Sequence, residues 1–478
     1  MRRTPPILVI AVVALTGLSA LASPDESRGV TEAGAPRAAL AATTAPNVLL
    51  IVTDDQRYDT LWAMPNVRNL LGAHGVTFTD AVVSNPLCCP SRATILTGTY
   101  SHTNDVWRNG PPHGGFPSFD DSATLATTLD AAGYRTGIFG KYLNLYRRAA
   151  PDYVPPGWDR WFVFDAPAYY GYRVIDGRSF RSFGQRPADY STTVLADEAI
   201  SFIEEGTEPF FAYFAPYAPH GPSTPAPSDE RAPMGKRVAP DGSFNEADVS
   251  DKPAWARGLR LLGPSRIAAM HEAHRDHVRS LLEVDRSVGR LVDALIARGE
   301  LGSTIIVFTS DNGLAFGEHR WSAKRIPYEE SIRVPLVIRY DALETPADVR
   351  SSALVANIDI APTIAALTGV TLRRPDGVSL VPQLRDPRAA MARQGVLLEH
   401  LAKKNDRVPS YCGLRTTRHT YVRYATGEEE LYNLDRDQFQ LANRSDRASA
   451  KDALRKLRHL TRSLCGAGPP DPAFRWEG

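Results

Sequence analysis

The chain has 478 residues, enough for one large domain with a smaller one appended and for a sizeable core. Lys plus Arg (55) nearly cancels Asp plus Glu (54), so nothing electrostatic favours nucleic acid or an anionic membrane surface, and an anionic substrate would need a local cluster of positive charge. The 43% apolar and 23% charged fractions are those of an ordinary globular protein.

Arg2 and Arg3 form a positive start, residues 7–21 an apolar stretch, and Ala20-Leu21-Ala22 a small-residue cleavage pattern. Residues 1–22 therefore read as an export signal, and the product as secreted or held in the cell envelope or periplasm. The stretch is short of the roughly 20 apolar residues that span a bilayer, so no stable membrane anchor is expected. Residues 23–45, rich in Ala, Ser, Thr and Pro, read as a disordered leader.

Four apolar runs then end in chemically capable residues. Run 47–53 leads to Asp54-Asp55, 136–140 to Lys141, 210–214 to Pro219-His220, and 304–310 to Asp311-Asn312. Continuous β-branched runs suit strands covered on both faces. A helix is expected over 122–132, capped by Ser122, and another through Leu281, Val284, Val288, Leu291 and Leu295, stopped by Gly299. Strands alternating with helices imply a mostly parallel α/β sheet, whose ligands gather at the carboxyl ends of the strands. Residues 222–262, rich in Pro, Gly and charge, read as a lid or a disordered insertion. From about residue 390 short strand-like pieces and a charged helix suggest a smaller C-terminal α+β subdomain, giving domains at 46–389 and 390–478.

Asp54, Asp55, Asp311 and Asn312 offer hard oxygen donors suited to calcium, less so to magnesium. Either pair alone would be turn or cap chemistry; two pairs, each after a buried strand, point to a metal. Arg92, Lys141, His220 and Lys324 are candidate binders of a tetrahedral oxyanion. Cys88, ahead of an Arg and a helix start, could be a nucleophile of lowered pKa. Cys89 reads as a small buried residue, and His271, His274 and His277 as a helix face. Asp359 reads as a helix cap, and Glu318-His319-Arg320 as either a substrate contact or a structural loop. In an oxidising compartment Cys412 and Cys465 are a plausible disulfide; two buried thiols are the alternative.

The run Cys88-Cys89-Pro90-Ser91-Arg92, followed by Leu96-Thr97-Gly98, resembles the signature of the sulfatase family at every fixed position. Asp54-Asp55, Gly140-Lys141, Pro219-His220, Ser310-Asp311-Asn312-Gly313 and Lys324 follow in that family's order, over residues 47 to about 440. Within it, Tyr100-Ser101-His102 and Gly140-Lys141-Tyr142-Leu143-Asn144 look closest to the N-acetylglucosamine-6-sulfatases and their heparan-acting relatives.

The resemblance implies an alkaline-phosphatase-like fold, a mostly parallel sheet sandwiched by helices. It also implies conversion of Cys88 to formylglycine by a formylglycine-generating enzyme. One hydroxyl of the hydrated aldehyde attacks sulfur and expels the alcohol, and the other then releases sulfate. Asp54, Asp55, Asp311 and Asn312 would hold calcium with modified Cys88, while Arg92 steadies the diol. Lys141, His220 and Lys324 would bind sulfate, with His220 or Lys324 protonating the leaving oxygen. Leu143 stands where many arylsulfatases carry a histidine for the elimination step, so His102 or Asn144 is left to share that role, and Asn144 and His319 join the expected substrate contacts. The expected substrate is a sulfate ester of a sugar or an aryl alcohol. Two other readings share these residues: a phosphonate or phosphate ester hydrolase, and a catalytically silent, calcium-dependent carbohydrate-binding protein.

Overall fold

The computed structural model describes residues 45–149, 152–234, 242–343 and 348–476. The expected signal (1–22) and the leader up to residue 44 lie outside them.

The strands, in chain order, are β1 (Asn47–Thr53), β2 (Val76–Val82), β3 (Arg135–Gly140), β4 (Arg160–Phe164), β5 (Arg173–Asp176), β6 (Ser179–Ser182), β7 (Phe210–Ala215), β8 (Thr304–Ser310), β9 (Ala315–Phe316), β10 (Ser322–Ala323), β11 (Leu336–Arg339), β12 (Val349–Ala356), β13 (Val396–His400), β14 (Tyr411–Arg415), β15 (His419–Tyr424) and β16 (Glu429–Asn433). Ten of them form one sheet in the order β12-β2-β11-β8-β1-β7-β3-β4-β5-β6. Its centre, β8-β1-β7-β3-β4, is parallel throughout.

The reason is visible in β1. Every residue is buried, with Val48, Leu50 and Val52 packed into one core and Leu49 and Ile51 into the other. Strand β8 repeats the split, with Ile305 and Val307 against Ile306 and Phe308. Helices Ser191–Glu204 and Pro264–Ala297 cover one face. Helices Cys88–Thr97 (α1), Leu125–Ala131 and Ile360–Thr368 cover the other. Burying one aliphatic side chain contributes about 1.5–3 kcal/mol, so a strand covered on both faces anchors whatever follows its end.

Some boundaries differ from the sequence reading. Thr124, not Ser122, caps the helix beginning at Leu125, through a reciprocal box with Thr127, while the Ser122 hydroxyl is taken by Asp120 at 2.6 Å. The helix ending near Gly299 starts at Pro264, a position where proline's missing N–H costs nothing. His271, His274 and His277 lie on it, with His277 fully buried and His274 stacked on Phe316 at 4.8 Å. Asp359 accepts from the amides of Ala356 and Val378 and pairs with Arg393, tying segments together rather than capping the helix it precedes.

Residues 242–262 pack into the body instead of standing off as a lid. Trp255 is buried against Trp321, and fully buried Lys252 donates to the Tyr432 hydroxyl at 3.0 Å.

Strands β13–β16 form an antiparallel sheet with helix Lys451–Cys465 on it. Cys412 on β14 and Cys465 at the helix end form a disulfide. The sheet grips the larger one through Arg415, which reaches Glu329 at 2.8 Å and Asp80 at 2.7 Å.

Candidate active site

In-register pairing of the parallel strands carries three expected site segments to one edge. Thr53 lies opposite Ser310, and Gly140 opposite Ala215, so Asp54, Asp55, Lys141, Asp311 and Asn312 emerge side by side. Gly140 is required there, because its φ is +120° and an added Cβ would lie 2.1 Å from the Ala215 carbonyl oxygen. Helix α1 begins at Cys88, with the Asn109 Oδ1 accepting from the Cys89 amide at 2.9 Å. Its N-terminal turn, the positive end of the helix dipole, therefore carries the sulfur. Gly98 ends α1 at φ +72°, which explains the glycine of the Leu-Thr-Gly tail.

Around Cys88, three buried carboxylates face two buried cations, Arg92 and Lys141, and the partly buried Lys324. The Lys324 ammonium donates to Cys88 Sγ at 2.7 Å and to Asp55 Oδ1 at 2.5 Å. Lys141 pairs with Asp54, whose Oδ1 lies 3.5 Å from the sulfur. Arg92 donates from Nε to Asp311 Oδ2 at 2.8 Å and from its terminal nitrogens to the Lys141 and Thr53 carbonyls at 3.1 and 3.4 Å. Asp311 Oδ1 accepts from the Asp55 amide at 3.0 Å. Asn312 Nδ2 donates to Asp55 Oδ1 at 2.7 Å, leaving the buried Asn312 Oδ1 without a partner. His220 reaches Asp55 Oδ2 with Nε2 at 3.6 Å, its other nitrogen held by the Gly221 carbonyl at 2.8 Å.

Burial pushes the Asp54 carboxyl up, but Lys141, His220 and Arg92 outweigh it and hold the group at about 2. Asp55 is lowered in the same way, against burial, by Lys324 and His220. Burial pushes the Cys88 thiol up to about 12 in spite of Lys141 and Lys324. The sequence expectation of a lowered-pKa thiolate is thus reversed: as a plain thiol, Cys88 is protonated at neutral pH and a poor nucleophile.

The oxygen donors of Asp54 and Asp55, with Cys88 and His220, all lie within 4.8 Å of one another, a candidate metal centre. Three carboxylates and an orphaned amide oxygen fit a hard divalent cation.

Two expected site residues stand elsewhere. His102 bonds through Nδ1 to Glu399 Oε1 at 2.7 Å and stacks on Tyr100, and none of its described contacts reaches Cys88. His319 is fully buried, with Nδ1 on Glu246 Oε2 at 2.7 Å and its ring against Tyr328, a structural position closed to substrate. Asn144 lines a cavity of about 220 Å³ beside Lys141, while Leu143 belongs to the core. A second cavity, of about 510 Å³, opens beside Lys324 between loops around residues 108, 325 and 403. Its Arg108, Arg325, His400 and Lys403 were not singled out from the sequence; the only signals were the basic pairs Lys324-Arg325 and Lys403-Lys404.

Comparison with known proteins agrees with this geometry. The sulfatase family model matches residues 46–370, and a model described as N-sulphoglucosamine sulphohydrolase, C-terminal, matches 317–464. The chain belongs to the sulfatase family. It is accordingly a sulfuric ester hydrolase with the alkaline-phosphatase-like fold. It is 36% identical to human N-acetylglucosamine-6-sulfatase over 75% of this chain and 68% of that one. A Drosophila melanogaster relative named extracellular sulfatase SULF-1 homolog is 32% identical over 71% of this chain but only 31% of its own length. A solved structure in complex with its substrate D-glucosamine-2-N,6-O-disulfate superposes with a TM-score of 0.78 at 26% identity, covering 88% of this chain and 97% of that one. Among the described residues no helix is long and apolar enough to cross a membrane.

Proposed function

We propose that this sulfatase removes the 6-O-sulfate of a glucosamine-type saccharide, with Cys88 matured to formylglycine by a formylglycine-generating enzyme and calcium as its ion. The observation that carries the proposal is the placement of Cys88 at the α1 N-terminus, within reach of Lys324 and Asp54 and buried as an unreactive thiol. The saccharide assignment draws on the human relative and on the substrate-bound structure.

Asp54, Asp55, Asp311 and Asn312 would hold the cation, together with the side chain at 88. When bound, the ion and the hydrated aldehyde supply charge neutralisation and the attacking hydroxyl. The protein's own groups do the rest. Without an ion, Asp54, Asp55 and Asp311 balance Arg92, Lys141 and Lys324; a dication makes the pocket net positive, matched to a sulfate ester. Arg92 fixes the relative positions of Asp311 and the strand ends. Lys141 and Lys324 orient sulfate oxygens through charge-assisted hydrogen bonds. His220, its Nδ1 held by the Gly221 carbonyl, can pass a proton from Nε2 to the leaving alcohol oxygen.

Export to the cell envelope or outside is part of the proposal, in keeping with a relative named as extracellular and with the Cys412–Cys465 bond. Sulfate release from 6-O-sulfated glucosamine oligosaccharides by matured protein is the test. Turnover of an aryl phosphonate well above that of every sulfate ester would replace this reading with the phosphonate hydrolase one.

A further inference from the structure

The 510 Å³ cavity beside Lys324 has more positive charge on its wall than its own carboxylates neutralise. It is lined by Arg108, Lys324, Arg325, His400, Lys403 and Asp406, among others. Lys324 is committed to Asp55, and Arg325 to Asp406 at 3.0 Å. Arg108 is held only by backbone carbonyls, those of Gly110 at 3.1 Å, Pro112 at 2.9 Å and Ala402 at 3.4 Å. Asp406 Oδ2 accepts from the Lys403 amide at 3.0 Å, but no described carboxylate pairs with the Arg108 guanidinium or the Lys403 ammonium. The cavity beside Lys141 differs, because its Arg147 is already paired with Asp165 at 2.7 Å.

His400 is an independent pointer to a ligand. It is 1% exposed, lines the same cavity, and neither ring nitrogen has a hydrogen-bond partner. Burial, helped by Arg325 and Arg108, presses its pKa to about 3, so the ring is neutral and offers one donor and one acceptor. A buried polar group without a partner is costly unless something supplies one.

We propose that Arg108 and Lys403 form a subsite for a second anionic group of the substrate, a sulfate or a carboxylate, with His400 hydrogen-bonding the sugar that bears it. The inference rests on the sulfatase reading and deepens it: the preferred substrate is a saccharide with at least two negative groups, one cleaved at Cys88 and one retained. Lys324, which touches both the Cys88 sulfur and this cavity, marks how near the two groups lie.

The test compares matured wild type, Arg108→Ala, Lys403→Ala, the double variant and Arg108→Lys. The substrates are glucosamine 6-sulfate with an N-acetyl group, the same sugar with an N-sulfate, and a 6-sulfated disaccharide carrying a uronate. Wild type should prefer a doubly charged substrate. The double variant should lose roughly tenfold or more of that preference in kcat/KM, through KM and not kcat, while Arg108→Lys keeps most of it. Whichever of the N-sulfate and uronate arms responds identifies the anion. An unchanged preference in the double variant, or an equal loss on all substrates, overturns the subsite. If no substrate releases sulfate, the sulfatase reading fails by itself. Calorimetric binding of N-sulfated glucosamine lacking the 6-sulfate then tests the subsite separately, with weakening of roughly tenfold in the double variant expected and no change refuting it.

Discussion

Replacing Arg92 by alanine should destabilise the fold far more than a surface arginine would. The side chain is 1% exposed and faces Asp311, itself fully buried, at 2.8 Å. Removing one partner of a buried pair strands the other charge, at a cost of about 3–5 kcal/mol. Arg92→Lys keeps a charge opposite Asp311 but cannot also serve the Lys141 and Thr53 carbonyls, a smaller loss of about 1–3 kcal/mol. Equilibrium urea unfolding in the presence of a chelator reads both, so that no cation compensates Asp311. The alanine midpoint should fall by about 1 M, with lysine between it and wild type. If both variants unfold within about 0.5 kcal/mol of wild type, Arg92 does not hold the strand ends together and its role as the site's brace is wrong.

Other outcomes follow from the same structure. Cys412→Ser should cost about 4 kcal/mol by the chain-entropy estimate for a bridge spanning 53 residues, read as a lower unfolding midpoint that reductant reproduces in wild type. Burial holds the Glu246 carboxyl up at about 7 against Lys252, so the folded state keeps a proton that the unfolded state has lost. Stability should therefore decline as pH rises from the ordinary carboxylate range to about 7, by at most about 3 kcal/mol and less where water reaches the group. Glu246→Gln should flatten that slope in urea midpoints measured across the window. His102→Ala should lower kcat by less than about tenfold, since general-base loss costs about a hundredfold or more; a fall of that size would make His102 the missing base. Chelation should abolish sulfate release, calcium should restore it, and calcium at about 100 times its Kd should stabilise the protein by about 2.7 kcal/mol.

The sheet's centre was legible because β1, β7 and β8 are apolar without interruption, and only a strand covered on both faces supports that. The residues after those strands followed from the fold class, and Cys88 from a motif whose spacing is the first turn of α1. What could not be read was the pairing. Nothing near Arg92 in sequence indicates Asp311, and nothing near Lys324 indicates Asp55, because those contacts are made by strand order. His319 and His102 looked like site histidines for proximity to motifs, yet buried Glu246 and Glu399, distant in sequence, claim them. The basic cavity was hidden for the same reason: its walls come from segments around 108, 325 and 400 that only the smaller sheet's docking brings together.

In the proposed reaction Cys88 acts as an aldehyde and not as a thiol. The most direct measurement is the mass of the Cys88-containing peptide from protein that releases sulfate, taken beside the activity of Cys88→Ala. The peptide should be lighter by the difference between cysteine and formylglycine, with sulfate release in proportion to that fraction and none from the alanine variant. Full activity in protein whose Cys88 peptide carries only the unmodified thiol would contradict it.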